Sequence, residues 1–388
     1  MKNRLTAFIL ALAIVLTSAA GITAFAETGS TQKQVRITEQ IPVLDENGYL
    51  TQSGYCFTPL YTYDRNAIQT AGWRTKEWDF YQISNDRYCM QITIADISLG
   101  GACTIGFFDM QTGKAYSTMI LDLFTFGKFT EFTDSCMDNH LYSFHRNNFT
   151  FDLEIKDNVR TIKFDGKANG KKLNVDVTLD MLPEHESHVI AVPFDTKDGK
   201  HFYLNEKTNC MAANGTISLD GETVVNFKGV EDNSFGVLDW GRGVWPFHET
   251  WWWGNGSTVL ENGKIFGMEL GWGFGNTSEV TENTLFYDGK AYKIGNVIFE
   301  NQEEIVKPLS SDWVKSGKGT VWKFTSDDGS FEMEMTPVYD NYTMMRFVCV
   351  GNLCHQVFGK WNGTVKCGDE TIEIKDMYAF LERSDNMW

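Results

Sequence analysis

The feature that most limits what this chain can become is a period of two. From about residue 85 onward, apolar and polar residues alternate in short runs separated by Gly, Asn and Asp, the signature of strands with one buried face. Leu173-Asn174-Val175-Asp176-Val177-Thr178-Leu179 and Phe331-Glu332-Met333-Glu334-Met335 are plain examples. Leu219-Asp220-Gly221-Glu222 and Tyr287-Asp288-Gly289-Lys290 carry the Asp-Gly pair of a tight hairpin. No stretch sustains helical periodicity with caps over the roughly ten residues a helix requires. The chain is therefore expected to be all-β, with few helices.

At 388 residues the chain exceeds the roughly 250 to 300 residues at which single cores tend to split, so two domains or a duplicated unit is the starting expectation. Self-comparison favours duplication. Phe107-Phe108-Asp109 followed by Gly113-Lys114 resembles Phe286-Tyr287-Asp288-Gly289-Lys290, Thr161-Ile162-Lys163-Phe164 resembles Val321-Trp322-Lys323-Phe324, and Leu173 to Thr178 matches Phe331 to Thr336 in pattern. A tryptophan-rich entry precedes each set, Trp73 to Trp78 and Trp245 to Trp253, and the order is the same in both. The expected organisation is a signal peptide at 1–26, an N-terminal β half at 27–195, a connecting segment at 196–233 and a C-terminal β half at 234–388. Each half reads as an antiparallel sandwich or a closed up-and-down barrel, since closure removes exposed strand edges. A barrel of about eight strands can hold one small ligand.

The N-terminus has the three parts of a secretory signal: Lys2 and Arg4, the apolar run Ala7 to Leu16, and Ala24-Phe25-Ala26 as a cleavage site. The expectation is export, with cleavage near Ala26 and no transmembrane segment in the mature chain. The formal charge is -17, and loss of Lys2 and Arg4 makes it more negative. Such a surface repels phosphate backbones, so nucleic acid is not expected as a partner. The eight cysteines are too sparse for a disulfide scaffold and form no CxxC pair suited to zinc. Cys349 and Cys354 stand either side of a potential hairpin, to be joined or to serve as small buried hydrophobes.

The densest segment is Phe235 to Gly256, FGVLDWGRGVWPFHETWWWGNG, with five of the twelve tryptophans. Alternate residues on a strand point to opposite faces, so Trp251, Trp252 and Trp253 cannot all serve one core. At least one is expected in a ligand cavity, at the contact between halves, or on the surface. Asp239, flanked by Leu238 and Trp240, is the candidate general acid if burial raises its pKa, or a structural ion-pair partner if Arg242 holds it ionised. His248 and Glu249 are further candidates, Glu249 sharing strand parity with Trp251 and Trp253 unless Pro246 introduces a bulge. Trp240, Arg242, Trp245, Trp251, Trp252, Trp253 and Trp272 are the candidate ligand-binding residues.

LDWGRGVWP followed by WWWG, with HVIAVPF at His188 to Phe194 and FYLNEK at Phe202 to Lys207, resembles the bacterial family catalogued as domain of unknown function 2804. That family looks related to proteins built from two lipocalin-like barrels, among them carotenoid hydratases and tocopherol cyclases. Asp239-Trp240-Gly241 is similar to an Asp-x-x-Trp-Gly theme of the hydratases, in compressed form and without an alignable histidine. The resemblance implies two lipocalin-like halves and a small hydrophobic, lipid or isoprenoid-like ligand in a Trp-lined barrel cavity. It also implies an alternative, a hydratase, isomerase or cyclase that needs no cofactor, in which neutral Asp239 protonates an alkene and tryptophan faces stabilise the cation.

Other signals are weaker. The histidines of Glu184-His185-Glu186-Ser187-His188 are three apart and on opposite strand faces, unlike a helical HExxH pair, so no metal is expected. Gly271-Trp272-Gly273-Phe274-Gly275 precedes no helix and reads as a strand touching large aromatics rather than a dinucleotide loop. Glu77-Trp78-Asp79 resembles part of the carboxylate strand of retaining β-sandwich glycosidases, but Tyr81 and Gln82 stand where the second carboxylate belongs. A carbohydrate-directed β-sandwich is the remaining alternative.

Overall fold

The Asp-Gly turns form as the sequence predicts. Asp220 and Asp288 take φ of 51° and 53°, each followed by a glycine with positive φ, and each turn joins two strands by a two-residue loop. The protein is described by a computed structural model covering residues 34–182, 184–301, 320–347 and 350–388. The expected signal peptide and Cys349 lie outside the described residues. Among those residues there is no α-helix, and no helix is long and apolar enough to cross a membrane.

The short strands β1 (Ile41–Pro42) and β3 (Tyr61–Thr62) pair in parallel, and β2 (Gly54–Cys56) joins the first of two large antiparallel sheets. The first sheet holds β4 (Thr75–Ser84), β5 (Tyr88–Asp96), β6 (Gly100–Asp109), β7 (Lys114–Leu123), β8 (His140–Arg146), β9 (Phe149–Lys156), β10 (Val159–Ala168), β11 (Lys171–Asp180), β12 (His188–Pro193), β13 (Phe202–Leu219), β14 (Glu222–Lys228) and β15 (Phe235–Val244). The second holds β16 (His248–Val259), β17 (Ile265–Trp272), β18 (Thr284–Tyr287), β19 (Lys290–Lys293), β20 (Val297–Phe299), β21 (Trp322–Ser326), β22 (Phe331–Asp340), β23 (Thr343–Phe347), β24 (Val350–Cys367) and β25 (Glu370–Met387).

The two sheets repeat one topology. The first runs β7-β6-β5-β4-β15-β13-β11-β10-β9-β8 and the second β19-β18-β17-β16-β25-β24-β22-β21-β20. In each, a four-strand meander is joined through its first strand to the last strand of the half. Every self-match in the sequence falls on equivalent strands: the β6–β7 turn with the β18–β19 turn, β10 with β21, and β11 with β22. The 18-residue strands β13 and β24 are also equivalent, and each carries a glycine with positive φ. Gly215 (φ 129°) and Gly363 (φ 148°) would set a β-carbon 2.1 Å and 2.2 Å from the carbonyl oxygens of Asp176 and Glu332, so both close approaches require glycine. The outer strands of the first sheet come together at the Arg146–Asp122 ion pair (2.6 Å) between β8 and β7, so this sheet curls toward closure.

One expectation is corrected. Residues 196–233 are not a connecting segment: they supply β13 and β14, and β13 pairs with β11, β12, β14 and β15. The chain passes from the first sheet to the second at Trp245–Phe247, and the described residues group as a single unit.

Strand parity divides the side chains. On β4, Tyr81 and Ile83 enter the first half's core with Leu238, Trp240 and Val244 of β15, while Trp78 and Phe80 face the second half. The second core gathers Phe266, Met268, Trp322, Phe324 and Trp361. Two aromatic clusters join the halves: Phe108, Trp253, Phe358 and Phe380 at one end, and Phe194, Tyr203, Trp245, Phe274 and Trp388 at the other.

Candidate functional site

Where the two sheets face each other they line a half-open chamber of about 320 Å³. The cavity expected inside a barrel is thus found between the halves, because each half fills its own interior with core side chains. Its walls are the outward faces of β4 and β5 (Trp78, Phe80, Thr93, Ala95), Ile97 just after β5, Tyr203 of β13, Trp251 and Trp253 of β16, and Phe274 and Trp388. Trp251 packs against Phe274 (4.9 Å between centroids) and Trp388 (5.8 Å). The buried indole N–H groups of Trp78 and Trp388 have no hydrogen-bond partner among the described residues.

One side of the chamber is charged. Lys207 on β13 is 2% exposed and lies 3.0 Å from Asp239 and 3.4 Å from Glu282, with its ammonium over the Trp253 ring at 4.2 Å. Asp239 also accepts from Asn205 Nδ2 at 2.6 Å. Glu269 sits behind, accepting from Asn255 Nδ2 (2.9 Å) and from Trp253 Nε1. Glu382 on β25 accepts from Trp251 Nε1 and Gln356 Nε2, both at 3.2 Å.

One ammonium faces four carboxyls, and burial governs their protonation. Desolvation pushes Glu269 up to about 8 and Glu382 up to about 7, partly opposed by Lys207, and raises Glu282 as well. Burial alone would depress Lys207, but the carboxylates of Asp239, Glu282 and Glu269 hold its pKa above the ordinary lysine value. The chamber therefore holds a fixed cation, an ion-paired Asp239 and, in Glu382, a wall carboxyl that exchanges its proton near neutral pH.

The candidates from the sequence are dispersed by parity. Asp239, Trp251 and Trp253 line the chamber. Trp240 and Arg242, on the opposite face of β15, lie inside the first half. Trp252 stacks on Trp272 (5.8 Å, 12°) against the second half's core. Trp245 is fully buried between the halves. His248 is exposed and pairs with Asp385 at 3.2 Å, and Glu249, outside the chamber wall, is half-buried with its pKa pushed up to about 7 by burial.

The Asp239–Arg242 ion pair does not form. Arg242 bonds Asp79 Oδ1 at 2.9 Å and the carbonyls of Trp78 and Thr133, and stands 4.0 Å from the Trp240 ring. Tyr142 donates to Asp79 and Tyr63 to Glu77, and Arg65 pairs with Glu77. The Glu77-Trp78-Asp79 carboxylates thus neutralise buried arginine charge, leaving no open carboxylate pair of the glycosidase kind. Lys207, Glu269, Glu282 and Glu382 were not singled out from the sequence. The signal available for Lys207 was its alternation with Tyr203 and Asn205 in FYLNEK.

The family model described as Domain of unknown function (DUF2804) matches residues 34–388. No curated protein matches the chain. Among solved structures the chain is similar to a putative AttH from Nitrosomonas europaea, at 10% identity and a TM-score of 0.46 over 85% of this chain and 98% of that one. It is also similar to kievitone hydratase from Nectria haematococca, at 11% identity and a TM-score of 0.42 over 81% of this chain and 88% of that one. A third is CghA, at 11% identity and a TM-score of 0.45 over 92% of this chain and 96% of that one.

Proposed function

From the premise that the chain belongs to the DUF2804 family, whose description assigns no activity, we propose that it binds a small, largely apolar ligand with one polar end in the chamber between its halves. The observation that carries this reading is the pairing of an aromatic wall with a single charged side. Trp251, Phe274 and Trp388 offer ring faces, and Lys207 and Asp239 offer a fixed ion pair. Ligand sites of about 300 to 1,000 Å³ are lined in this way, by aromatic surface with a few convergent polar groups. The chamber, at about 320 Å³, suits the smaller members of that class.

A second reading is favoured by Glu382. A carboxyl near pKa 7 facing an apolar, aromatic chamber can protonate a bound alkene or carbonyl, and needs no cofactor to do so. In this reading Glu382 takes the general-acid role first considered for Asp239, which is tied to Lys207.

Solvent extraction of protein purified from its native cells, followed by mass spectrometry, tests the first reading. An apolar molecule retained in near-stoichiometric amount is expected. Recovery of only background lipid, equal to that from an unrelated protein of similar size, would refute it. If incubation converts the retained molecule and Glu382→Gln stops the conversion without releasing it, the second reading holds.

A further inference from the structure

We propose that the outer face of β6 and β7, with the loop after β7, is a docking surface for a phospholipid bilayer. Five large apolar side chains in eight residues stand in solvent: Met119 is 46% exposed, Leu121 52%, Leu123 60%, Phe124 65% and Phe126 51%. Exposed clusters of this kind mark interaction surfaces. Met119, Leu121 and Leu123 share one face of β7. Their partners on β6 are Thr104, Ala102 and Gly100, small residues that leave the aliphatic chains proud. The next partners, Thr93 and Ala95 on β5, already belong to the chamber wall. The apolar strip is therefore continuous from the surface to the chamber.

The loop keeps its rings outside by construction. Phe124 and Phe126 adopt φ of 56° and 50°, a left-handed conformation uncommon for bulky residues. The backbone holds them there: Phe124 N–H bonds Leu99 O and Phe126 N–H bonds Ser98 O, both at 2.9 Å. Buried Asp96 accepts from the Thr125 hydroxyl (2.8 Å) and the Phe129 N–H (3.1 Å). Ser98 in turn donates to Gly72 O (3.2 Å), which brings Trp73, 47% exposed, to the same end.

The charges beside the rings select the occupant. Exposed Lys128 follows Phe126 by two residues, and half-buried Arg74, which also donates to the Trp245 carbonyl, lies over the Trp73 ring at 5.0 Å. The single acid between Met119 and Lys128 is Asp122, already paired with Arg146. Aromatic and aliphatic tips flanked by basic side chains match the acyl boundary and phosphate level of a bilayer. A second copy could not add to the β7 edge as a strand. That edge faces β8 through Asp122–Arg146, and Ser117 N–H bonds Asn169.

Flotation with phosphatidylcholine vesicles reads the proposal, and zwitterionic lipid is chosen because the chain's net charge of -17 opposes anionic membranes. The wild-type protein should float with the vesicles. Leu123→Ser/Phe124→Ser/Phe126→Ser should lower partitioning at least tenfold while leaving the melting temperature unchanged, since all three side chains are exposed. A wild-type protein that stays at the bottom, or a triple variant that floats equally well, would overturn it. So would light scattering showing a wild-type dimer that the variant converts to monomer, because the face would then join two copies. Retention of a chamber ligand is measured separately, and its failure leaves this result untouched.

Discussion

Lys207→Met is expected to destabilise the protein by about 3 to 5 kcal/mol at pH 8, the usual consequence of removing one partner from a buried ionic group. Lys207 is the cation that faces Asp239 and Glu282 directly at 3.0 and 3.4 Å. Without it those carboxylates, with Glu269 and Glu382 nearby, must either repel one another or take up protons.

The pH dependence gives this prediction a second readout. Glu269 and Glu382 are raised from an ordinary 4.5 to about 8 and about 7, so the folded state binds more protons than the unfolded state between those values. Their contribution to stability is fully present below about 4.5 and is lost as pH rises through 7 to 8. Wild-type stability should therefore fall across that window. Removing Lys207 raises the folded carboxyl values further, so the variant should lose more at the alkaline end. Urea melts at pH 5 and pH 8 decide the matter: the gap between the two proteins should be clearly wider at pH 8. An equal gap at both pH values would mean that Lys207 acts through packing alone.

Arg242→Met should also cost about 3 to 5 kcal/mol, for a reason located in the first half's core. Asp79 is 1% exposed and among the described residues would keep only the Tyr142 hydroxyl as a side-chain donor. Adding Asp79→Asn should restore part of the loss, a coupling of at least about 1 kcal/mol between contacting residues. Arg242→Met combined with Asp239→Asn should instead be additive within about 0.5 kcal/mol, because the two side chains leave opposite faces of β15 and share no partner. Strong coupling to Asp239 and none to Asp79 would reverse the assignment.

That assignment marks where the sequence was legible and where it was not. Alternation, the Asp-Gly turns and the ordered self-matches identified strands, hairpins and duplication, because each is a local consequence of backbone geometry. Parity was available too: residues 239 and 242 are three apart and cannot share a strand face, so their ion pair was excluded by period alone. The same rule separates Trp252 from Trp251 and Trp253. What parity could not give was the company each face keeps. Lys207, Glu269, Glu282 and Glu382 come from β13, β17, the loop before β18 and β25, and only the packing of two halves brings them together. The boundary error has a related cause. Asn205, Glu206, Lys207, Thr208 and Asn209 are all buried, so a strand covered on both faces carried the polar composition of a linker.

The central claim, that the chamber between the halves is where ligand binds, is tested most directly by filling it. Ala95 lies on the β5 wall opposite Trp78, is half-buried, and can carry a larger side chain into the chamber without entering either core. Nile red, a neutral apolar probe, should bind the wild-type protein with a fluorescence increase. Ala95→Trp should weaken that binding at least tenfold, a difference of about 1.4 kcal/mol, with an unchanged melting temperature. Equal affinity of the probe for both proteins would place its site elsewhere and contradict the account.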